Sequence, residues 1–393
     1  MRAVTWQGRR KVVVEEVADP KLVDDDDVII KVTSAAICGS DLHLYEVLGP
    51  FMTRGDILGH EAMGTVVEAG PAVNNLAPGD RVVVPFNIAC GTCFMCSRGL
   101  QSQCEQTQVR EHSSGAALYG YSQLYGSVPG GQAELLRVPF ANYGPIKITD
   151  DRPDERYLYL SDILPTAWQA VTYADAEPDS TVVVIGLGPV GQLAARIAVH
   201  RGHSVIGVEP LAYRREIAVR HGIQAIDLDD NTVETIMERT DGRGAAASID
   251  AVGMESHGSP AKLAQRAAGL LPDAAARKVM TTAGVDALGA LSLALRTVRR
   301  GGTVSLSGVY GGMADPMPLM QMFDRQLQLR MGQCNVRHWI DNLMPLVDDE
   351  TDPLGLESLA THRMPLDKAP EAYEMFQKKS DDCLKIILEP AAD

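Results

Sequence analysis

The stretch Thr181-Val-Val-Val-Ile-Gly-Leu-Gly-Pro-Val-Gly191 decides the fold of this chain. Five β-branched residues, Thr181–Ile185, read as a buried strand. Gly186, Gly188 and Gly191 follow as G-x-G-x-x-G, and an apolar-periodic helix runs from Pro189-Val190 to about His200. The glycine motif alone is a weak signal; set between a strand and a helix, it is the arrangement that cradles a diphosphate. Gly186 permits the tight turn, Gly188 lets a pyrophosphate reach the backbone, and Gly191 lets the helix pack on the sheet. The helix start adds free N–H groups and the positive end of its dipole.

Reading outward from there, strand and helix patterns alternate. A strand at Ser204–Val208 is followed by a helix through Arg215–Arg220, a strand at Ala247–Ile249, an alanine-rich helix at Leu288–Val298 and a strand at Thr303–Ser307. Such alternation means βαβ units and a doubly wound parallel sheet. Glu209 ends the second strand, about 20 positions beyond the glycines, where a carboxylate accepts the adenosine ribose hydroxyls and repels a 2′-phosphate. NAD is therefore expected rather than NADP. Arg214 and Arg215 count against that choice, since an arginine can accommodate the extra phosphate.

Before this region the pattern is all-β. Short runs at Val12–Val14, Val28–Val32, Thr65–Glu68, Arg81–Val84 and Glu134–Val138 are separated by turn signals such as Ala77-Pro-Gly-Asp80 and Pro129-Gly-Gly131. The character changes near Ser161, and a last strand is expected at Leu384–Leu388.

Cysteines 90, 93, 96 and 104 form C-x2-C-x2-C-x7-C. Four thiolates this close can converge on one Zn²⁺ and close its coordination shell, which makes the site structural. Two further segments carry metal-binding residue types, Cys38-Gly-Ser-Asp-Leu-His43 and Gly59-His60-Glu61. Each is weak alone, because a lone cysteine is usually buried packing. Together they place a thiolate, an imidazole and carboxylates within a short span.

In this combination and order, C-x-S-D-x-H, G-H-E, the four-cysteine lobe and G-x-G-x-x-G, the whole chain resembles the zinc-dependent medium-chain alcohol dehydrogenases. The resemblance implies a GroES-like β-barrel catalytic domain over 1–163 with a structural zinc lobe at about 88–106. It further implies a Rossmann NAD-binding domain over 164–333, and a C-terminal part, 334–393, that completes the first domain. Two zinc ions per chain are implied, one structural and one catalytic. Cys38 and His60 match two ligands of the catalytic zinc. The third, a cysteine in ordinary relatives, falls in Leu160-Ser-Asp-Ile-Leu-Pro-Thr166, where Asp162 occupies the position. A carboxylate is a sound zinc ligand, and Asp is also a good N-cap for a helix starting near Ile163. Ser161-Asp-Ile-Leu-Pro-Thr166 resembles the glutathione-independent formaldehyde dehydrogenases and formaldehyde dismutases.

By the same resemblance Asp41 accepts the second ring N–H of His60, Glu61 stands beside the metal, and Ser40 with His43 forms a proton relay. The cofactor meets Gly186, Gly188, Pro189, Val190, Gly191, Glu209 and Arg214, with Thr166 facing the nicotinamide and Lys385 reaching the pyrophosphate. Phe86 matches a pocket-lining aromatic, with core packing its alternative. The expected activity is hydride transfer between an alcohol, or an aldehyde hydrate, and NAD. Formaldehyde oxidation or dismutation with tightly held NAD is the narrower alternative, and a non-catalytic NAD- and zinc-binding protein is the rival of another class. An insertion at about 254–279 separates Asp250-Ala-Val-Gly253 from the next turn, Arg300-Gly301-Gly302; the resemblance implies that it covers the cofactor, with a surface excursion or an oligomer contact as the alternative.

The balance of charge narrows the partners. A formal net charge of −15 disfavours nucleic acid and anionic membranes, both of which need a basic surface. No apolar run is long enough to span a bilayer, and the N-terminus lacks a signal-peptide core. A cytoplasmic homodimer or homotetramer acting on a small molecule is the expectation.

Overall fold

A computed structural model describes residues 1–253, 288–310 and 317–390. The expected insertion at 254–279 lies outside the described residues. The chain divides into two compact units, Met1–Pro165 with Cys334–Asp393, and Thr166–Gln333.

The first unit opens with the hairpin β1 (Arg2–Gly8) and β2 (Lys11–Glu16), followed by β3 (Val28–Ile37) and the helix α1 (Gly39–Glu46). After them come β4 (Glu61–Ala69), β5 (Arg81–Val84), β6 (Leu135–Val138) and β7 (Ile146–Ile148). Val28, Ile30 and Val32 alternate along β3 and bury one face against Val66, Val82, Val84, Leu136 and Val138. The register of β3 on β4 shifts between Val32 and Ser34. Such a bulge bends the strand and raises its twist.

The boundary between units falls inside α2 (Ile163–Ala174). The second unit continues with β8 (Thr181–Ile185), α3 (Pro189–His200), β9 (Ser204–Val208), α4 (Ala212–Val219), β10 (Gln224–Ile226), α5 (Thr232–Glu238) and β11 (Ala245–Asp250). Then follow α6 (Gly289–Thr297), β12 (Val298–Leu306), α7 (Leu319–Asp324) and β13 (Gln328–Met331). Among these strands the sheet order is β10-β9-β8-β11-β12-β13, and every pairing is parallel. Val183, Ile185, Ile206 and Val208 of the sheet pack with Leu291 and Leu295 of α6. This is the doubly wound parallel sheet expected from the sequence. One boundary differs, because Val298 already belongs to β12 rather than to the helix before it.

The chain returns to the first unit with α8 (Val336–Val347), β14 (His362–Pro365), α9 (Ala369–Lys378) and β15 (Ile386–Glu389). The larger sheet of that unit runs β14-β15-β3-β4-β5-β7, with β6 also on β3. The end of β3 at Ile37, the start of β4 at Glu61 and the residue before β15, Lys385, thereby come side by side. Among the described residues no helix is long and apolar enough to cross a membrane.

Candidate functional site

Cys38 ends the turn between β3 and α1 and serves as the N-cap of that helix. Asp41 stands in the first turn, where a carboxylate is favoured by the helix dipole, and its Oδ2 accepts the Cys38 N–H at 2.9 Å. His60 precedes β4, and Asp162 immediately precedes α2. Strand pairing and helix starts thus deliver four groups from distant parts of the sequence to one place. Donor atoms of Cys38, His60, Glu61 and Asp162 all lie within 4.8 Å of one another, and all four residues are buried.

Inside this cluster His60 Nε2 is 3.2 Å from Asp162 Oδ2 and 3.1 Å from Ser40 Oγ. The Cys38 Sγ is 3.4 Å from Asp162 Oδ2. The opposite ring nitrogen, Nδ1, makes a 3.1 Å contact with Asp41 Oδ1. Neither of these two atoms forms a hydrogen bond, so the contact is one of charge and distance alone. Burial pushes the Cys38 thiol up to about 11, and the Asp162 and Glu61 carboxylates add to the rise. Burial opposes a charge on His60, but Asp41 and Asp162 outweigh it and hold the imidazole well above its ordinary value. Soft sulfur, imidazole nitrogen and carboxylate oxygen are zinc donors, so the set fits that metal.

Lys385 belongs to the same cluster. Its ammonium is wholly buried and bonds the Glu61 carboxylate at 2.7 Å and the Ile37 carbonyl at 3.0 Å. Its position before β15 aims it across β3 at Glu61, which matches its charge.

The four-cysteine lobe is compact. The sulfurs of Cys90, Cys93, Cys96 and Cys104 lie within 4.8 Å of one another, and none forms a disulfide. Backbone N–H groups of Thr92 and Cys93 point at Cys90 Sγ at 3.5 and 3.4 Å, and that of Glu105 at Cys93 Sγ at 3.4 Å. Desolvation works against the Cys93 thiolate, yet donors from Cys96 and Glu105 bring it down to about 6. Oriented donors and four sulfurs suit a structural zinc. The lobe also ties down the chain's return: Ser102 N–H donates to Asn335 Oδ1 at 3.0 Å, at the N-cap of α8.

In the second unit the glycine loop has the predicted form. Gly186 adopts φ +83°, the left-handed region. A Cβ on Gly191 would sit 1.9 Å from the Gly186 carbonyl oxygen. On Gly188, by contrast, a Cβ would meet only Arg214 Nη1, at 3.6 Å. The backbone is thus open at Gly188, N-cap of α3, with Pro189 and Val190 in the first turn, the kind of helix start that offers free N–H groups to an anion. Glu209 Oε2 accepts the Leu187 N–H at 2.8 Å and Oε1 accepts that of Leu211 at 3.1 Å. Arg214 Nη1 is 3.8 Å from Glu209 Oε2, while Arg215 bonds the Glu209 carbonyl and Asp227. Thr166 begins the second unit in α2.

Several neighbours escaped the sequence. Phe86 and Tyr121 present their rings edge-on to His60, with centroids 6.2 and 6.3 Å away, and Tyr125 stacks edge-on against Tyr121 at 5.5 Å. Gln132 and Tyr373 lie behind Asp41. Phe86 was named from the sequence with core packing as its alternative; the tyrosines and Gln132 carry no local signal, lying in loops, a short turn and helix α9.

Residues 24–148 match the alcohol dehydrogenase GroES-like domain, and residues 189–271 match the zinc-binding dehydrogenase family. The chain is 41% identical over 396 residues to the zinc-type alcohol dehydrogenase-like protein AdhB of Bacillus subtilis, covering 99% of this chain and 100% of that one. It is 30% identical over 422 residues to a formaldehyde dismutase of Pseudomonas putida, covering 99% and 97%. Among solved structures, the alcohol dehydrogenase TADH from Thermus sp. ATN1 superposes with a TM-score of 0.83 at 34% identity, over 99% of each chain. The chain belongs to the zinc-dependent medium-chain alcohol dehydrogenase family. It is an oxidoreductase enzyme acting on a small molecule, with zinc and a nicotinamide dinucleotide as cofactors.

Proposed function

We propose that this enzyme transfers hydride between a small alcohol, or an aldehyde hydrate, and NAD, with Cys38, His60 and Asp162 holding a catalytic zinc. The observation that carries this reading is the contrast between the two donor sets. One has four cysteines, which suit a closed tetrahedral shell; the other gathers one thiolate, one imidazole and the carboxylates of Glu61 and Asp162. Because Glu61 is ion-paired to Lys385, Cys38, His60 and Asp162 would be three ligands with a position left for substrate. Zinc held there supplies a Lewis acid that lowers the pKa of a bound hydroxyl.

The chain's own groups do the rest. Ser40 Oγ lies 3.1 Å from His60 Nε2, next to the donor atoms, and can take the substrate's hydroxyl proton. His43, three residues further along α1 and buried, is on the same side of the helix and can receive it. Phe86 and Tyr121 place apolar ring edges beside the donors and limit the room for a substrate carbon chain. At the cofactor, Glu209 favours ribose hydroxyls over a 2′-phosphate, and the attachment of Arg215 to Asp227 leaves one arginine, Arg214, near the glycine loop.

A narrower reading, formaldehyde oxidation or dismutation on retained NAD, is favoured by Asp162 within Ser161-Asp-Ile-Leu-Pro-Thr166. Seven cysteines without a disulfide support a reducing, cytoplasmic setting. Exposed Leu319, Met320 and Phe323 on α7 and Met331 on β13 support a homo-oligomer.

Metal analysis with an NADH-absorbance screen of alcohols and aldehydes tests the reading. Two zincs per chain and NADH formed from an alcohol or aldehyde are expected; one zinc and no turnover would refute it. Protein purified without added nucleotide, then denatured, releases NAD only under the narrower reading.

A further inference from the structure

Behind the candidate catalytic zinc site runs a chain of buried hydrogen-bonding groups that ends in the C-terminal helix. His60 Nδ1 faces Asp41 Oδ1 at 3.1 Å. The other oxygen, Asp41 Oδ2, lies 3.3 Å from Gln132 Nε2, whose second acceptor is the Ala36 carbonyl at 3.3 Å. Gln132 Oε1 accepts the Tyr373 hydroxyl at 2.8 Å. Asp41, Gln132 and Tyr373 are all 0% exposed.

The chemistry of the partners leaves Gln132 one orientation. A carboxylate and a carbonyl can only accept, so the amide NH₂ faces them; the phenol can donate, so the amide oxygen faces it. The sense of the chain follows: Tyr373 donates to Gln132 and Gln132 donates to Asp41, whose other oxygen faces His60 Nδ1 at 3.1 Å as a charge contact, with neither atom in a hydrogen bond. With the carboxylate of Asp41 at its Nδ1, a metal-bound His60 would keep its proton on Nδ1 and turn Nε2, the nitrogen that faces Asp162, to the metal.

Gln132 cannot drift from this place. Gly59, the residue before His60, has φ +97°, and a Cβ there would meet Gln132 Cγ at 2.3 Å and Gln132 N at 2.6 Å. Gln132 N–H also donates to the Leu58 carbonyl at 3.0 Å, and Gly131 N–H to that of Gly59 at 2.8 Å. The glutamine is therefore gripped by the segment that carries the histidine. Tyr373 on α9 packs its ring 5.4 Å from that of Tyr45, which belongs to α1 together with Ser40 and Asp41.

We propose that Gln132 and Tyr373 are positioning residues for the catalytic metal, acting through Asp41 to fix the tautomer and direction of the ligand His60. The inference rests on the reading of His60 as a zinc ligand. Groups beyond the ligands commonly change metal affinity by about 10- to 100-fold. Gln132, one step from Asp41, belongs in that range; Tyr373, one step further, belongs at about three- to tenfold.

The four-cysteine zinc supplies an internal control. Zinc release to a chelator would be followed in wild type, Tyr373→Phe and Gln132→Met, together with thermal melting. Tyr373→Phe removes one hydroxyl and keeps the ring, so it stands as the informative variant even where Gln132→Met fails to fold. The expected result is release of one zinc about three- to tenfold faster in Tyr373→Phe, with the second zinc leaving at the wild-type rate. Release of both zincs at wild-type rates would overturn the proposal while leaving the proposed function intact. Equal acceleration of both, with a lowered melting temperature, would also overturn it, because the role would then be packing. Wild-type protein holding a single zinc would remove the underlying assignment of His60 as well.

Discussion

Lys385 and Glu61 form an ion pair at 2.7 Å in which neither residue retains any exposed surface. The lysine reaches over β3 from the start of β15 to the start of β4, collecting the Ile37 carbonyl on the way. Burial opposes its charge, but the Glu61 carboxylate outweighs that and holds the ammonium above the ordinary lysine value. The pair brings a matched positive charge up to a cluster otherwise composed of a thiol, an imidazole and carboxylates.

Removing one half of a buried pair leaves the other uncompensated. Lys385→Met should destabilise the protein by about 3–5 kcal/mol. The double variant Lys385→Met with Glu61→Leu should recover part of the loss, since replacing both charges avoids the stranded carboxylate. Denaturant unfolding of the two variants checks this; equal stability of the single and double variants would show that no stranded charge is involved.

Asp162→Ala should abolish turnover by about a thousandfold or more, the scale set by losing several kcal/mol of Lewis-acid stabilisation. One zinc should leave and the four-cysteine zinc should stay. Asp162→Cys supplies another zinc-binding donor at the same position and should keep both metals. A variant Asp162→Ala with two zincs and normal kcat would show the carboxylate to be only a helix cap.

The four-cysteine lobe meets α8 through Ser102 and Asn335, and Gly99 lies against His338, where a Cβ would approach Nδ1 to 2.5 Å. Binding energy at a structural zinc is folding energy. Cys93→Ser should therefore lower Tm and zinc content together. Unchanged Tm with one zinc lost would detach the lobe from stability.

Glu46 closes α1 onto the first hairpin. Its Oε1 accepts from Arg9 Nη2 at 2.7 Å and Arg10 Nη2 at 2.9 Å. Burial pushes its carboxyl up, but Arg10 and Arg9 outweigh that and lower it below the ordinary value. A lowered folded-state pKa contributes stability that is present above the unfolded value, about 4.3, and is lost as pH falls through the folded value. Glu46→Gln should cost under about 1 kcal/mol at pH 7, discounted for solvent screening at this half-open site, with the difference vanishing once pH has fallen below the lowered folded-state value. Melting curves across pH 3–7 test this; a difference that persists in acid would point to packing instead.

What could be read from the chain was local. Gly186, Gly188 and Gly191 and the four cysteines act within one turn or one lobe, so their spacing is their geometry. Strands β1, β7, β10, β13 and β14 escaped because they are short or mixed in polarity, and pairing rather than pattern defines them. Asp162 was reachable only through resemblance to relatives, since nothing near it in sequence distinguishes a ligand from a cap. Lys385 and Glu61 are 324 positions apart, and Tyr373 and Gln132 are 241 apart. No periodicity carries such partners; the order of strands β15-β3-β4 brings the first pair together, and the packing of α9 brings the second.

Glu209 poses the sharpest test at the cofactor site. Its carboxylate already accepts two backbone N–H groups, from Leu187 within the glycine loop and from Leu211. A carboxylate has about four acceptor positions, so capacity remains for ribose hydroxyls. Arg214 stands 3.8 Å from Oε2 and beside the open face of Gly188, flanking the same opening with the opposite charge. Glu209→Gln keeps the size and one acceptor oxygen but removes the charge. Bonds to an ionised acceptor are roughly twice as strong as neutral ones, so the loss should be about 1–2 kcal/mol, or about tenfold in the Kd for NADH. NADPH should lose less or gain, because the repulsion of its 2′-phosphate is relieved. Fluorescence titration with both nucleotides decides the matter: unchanged Kd values for NADH and NADPH would leave Glu209 as a brace for the loop and move the choice of cofactor to other residues.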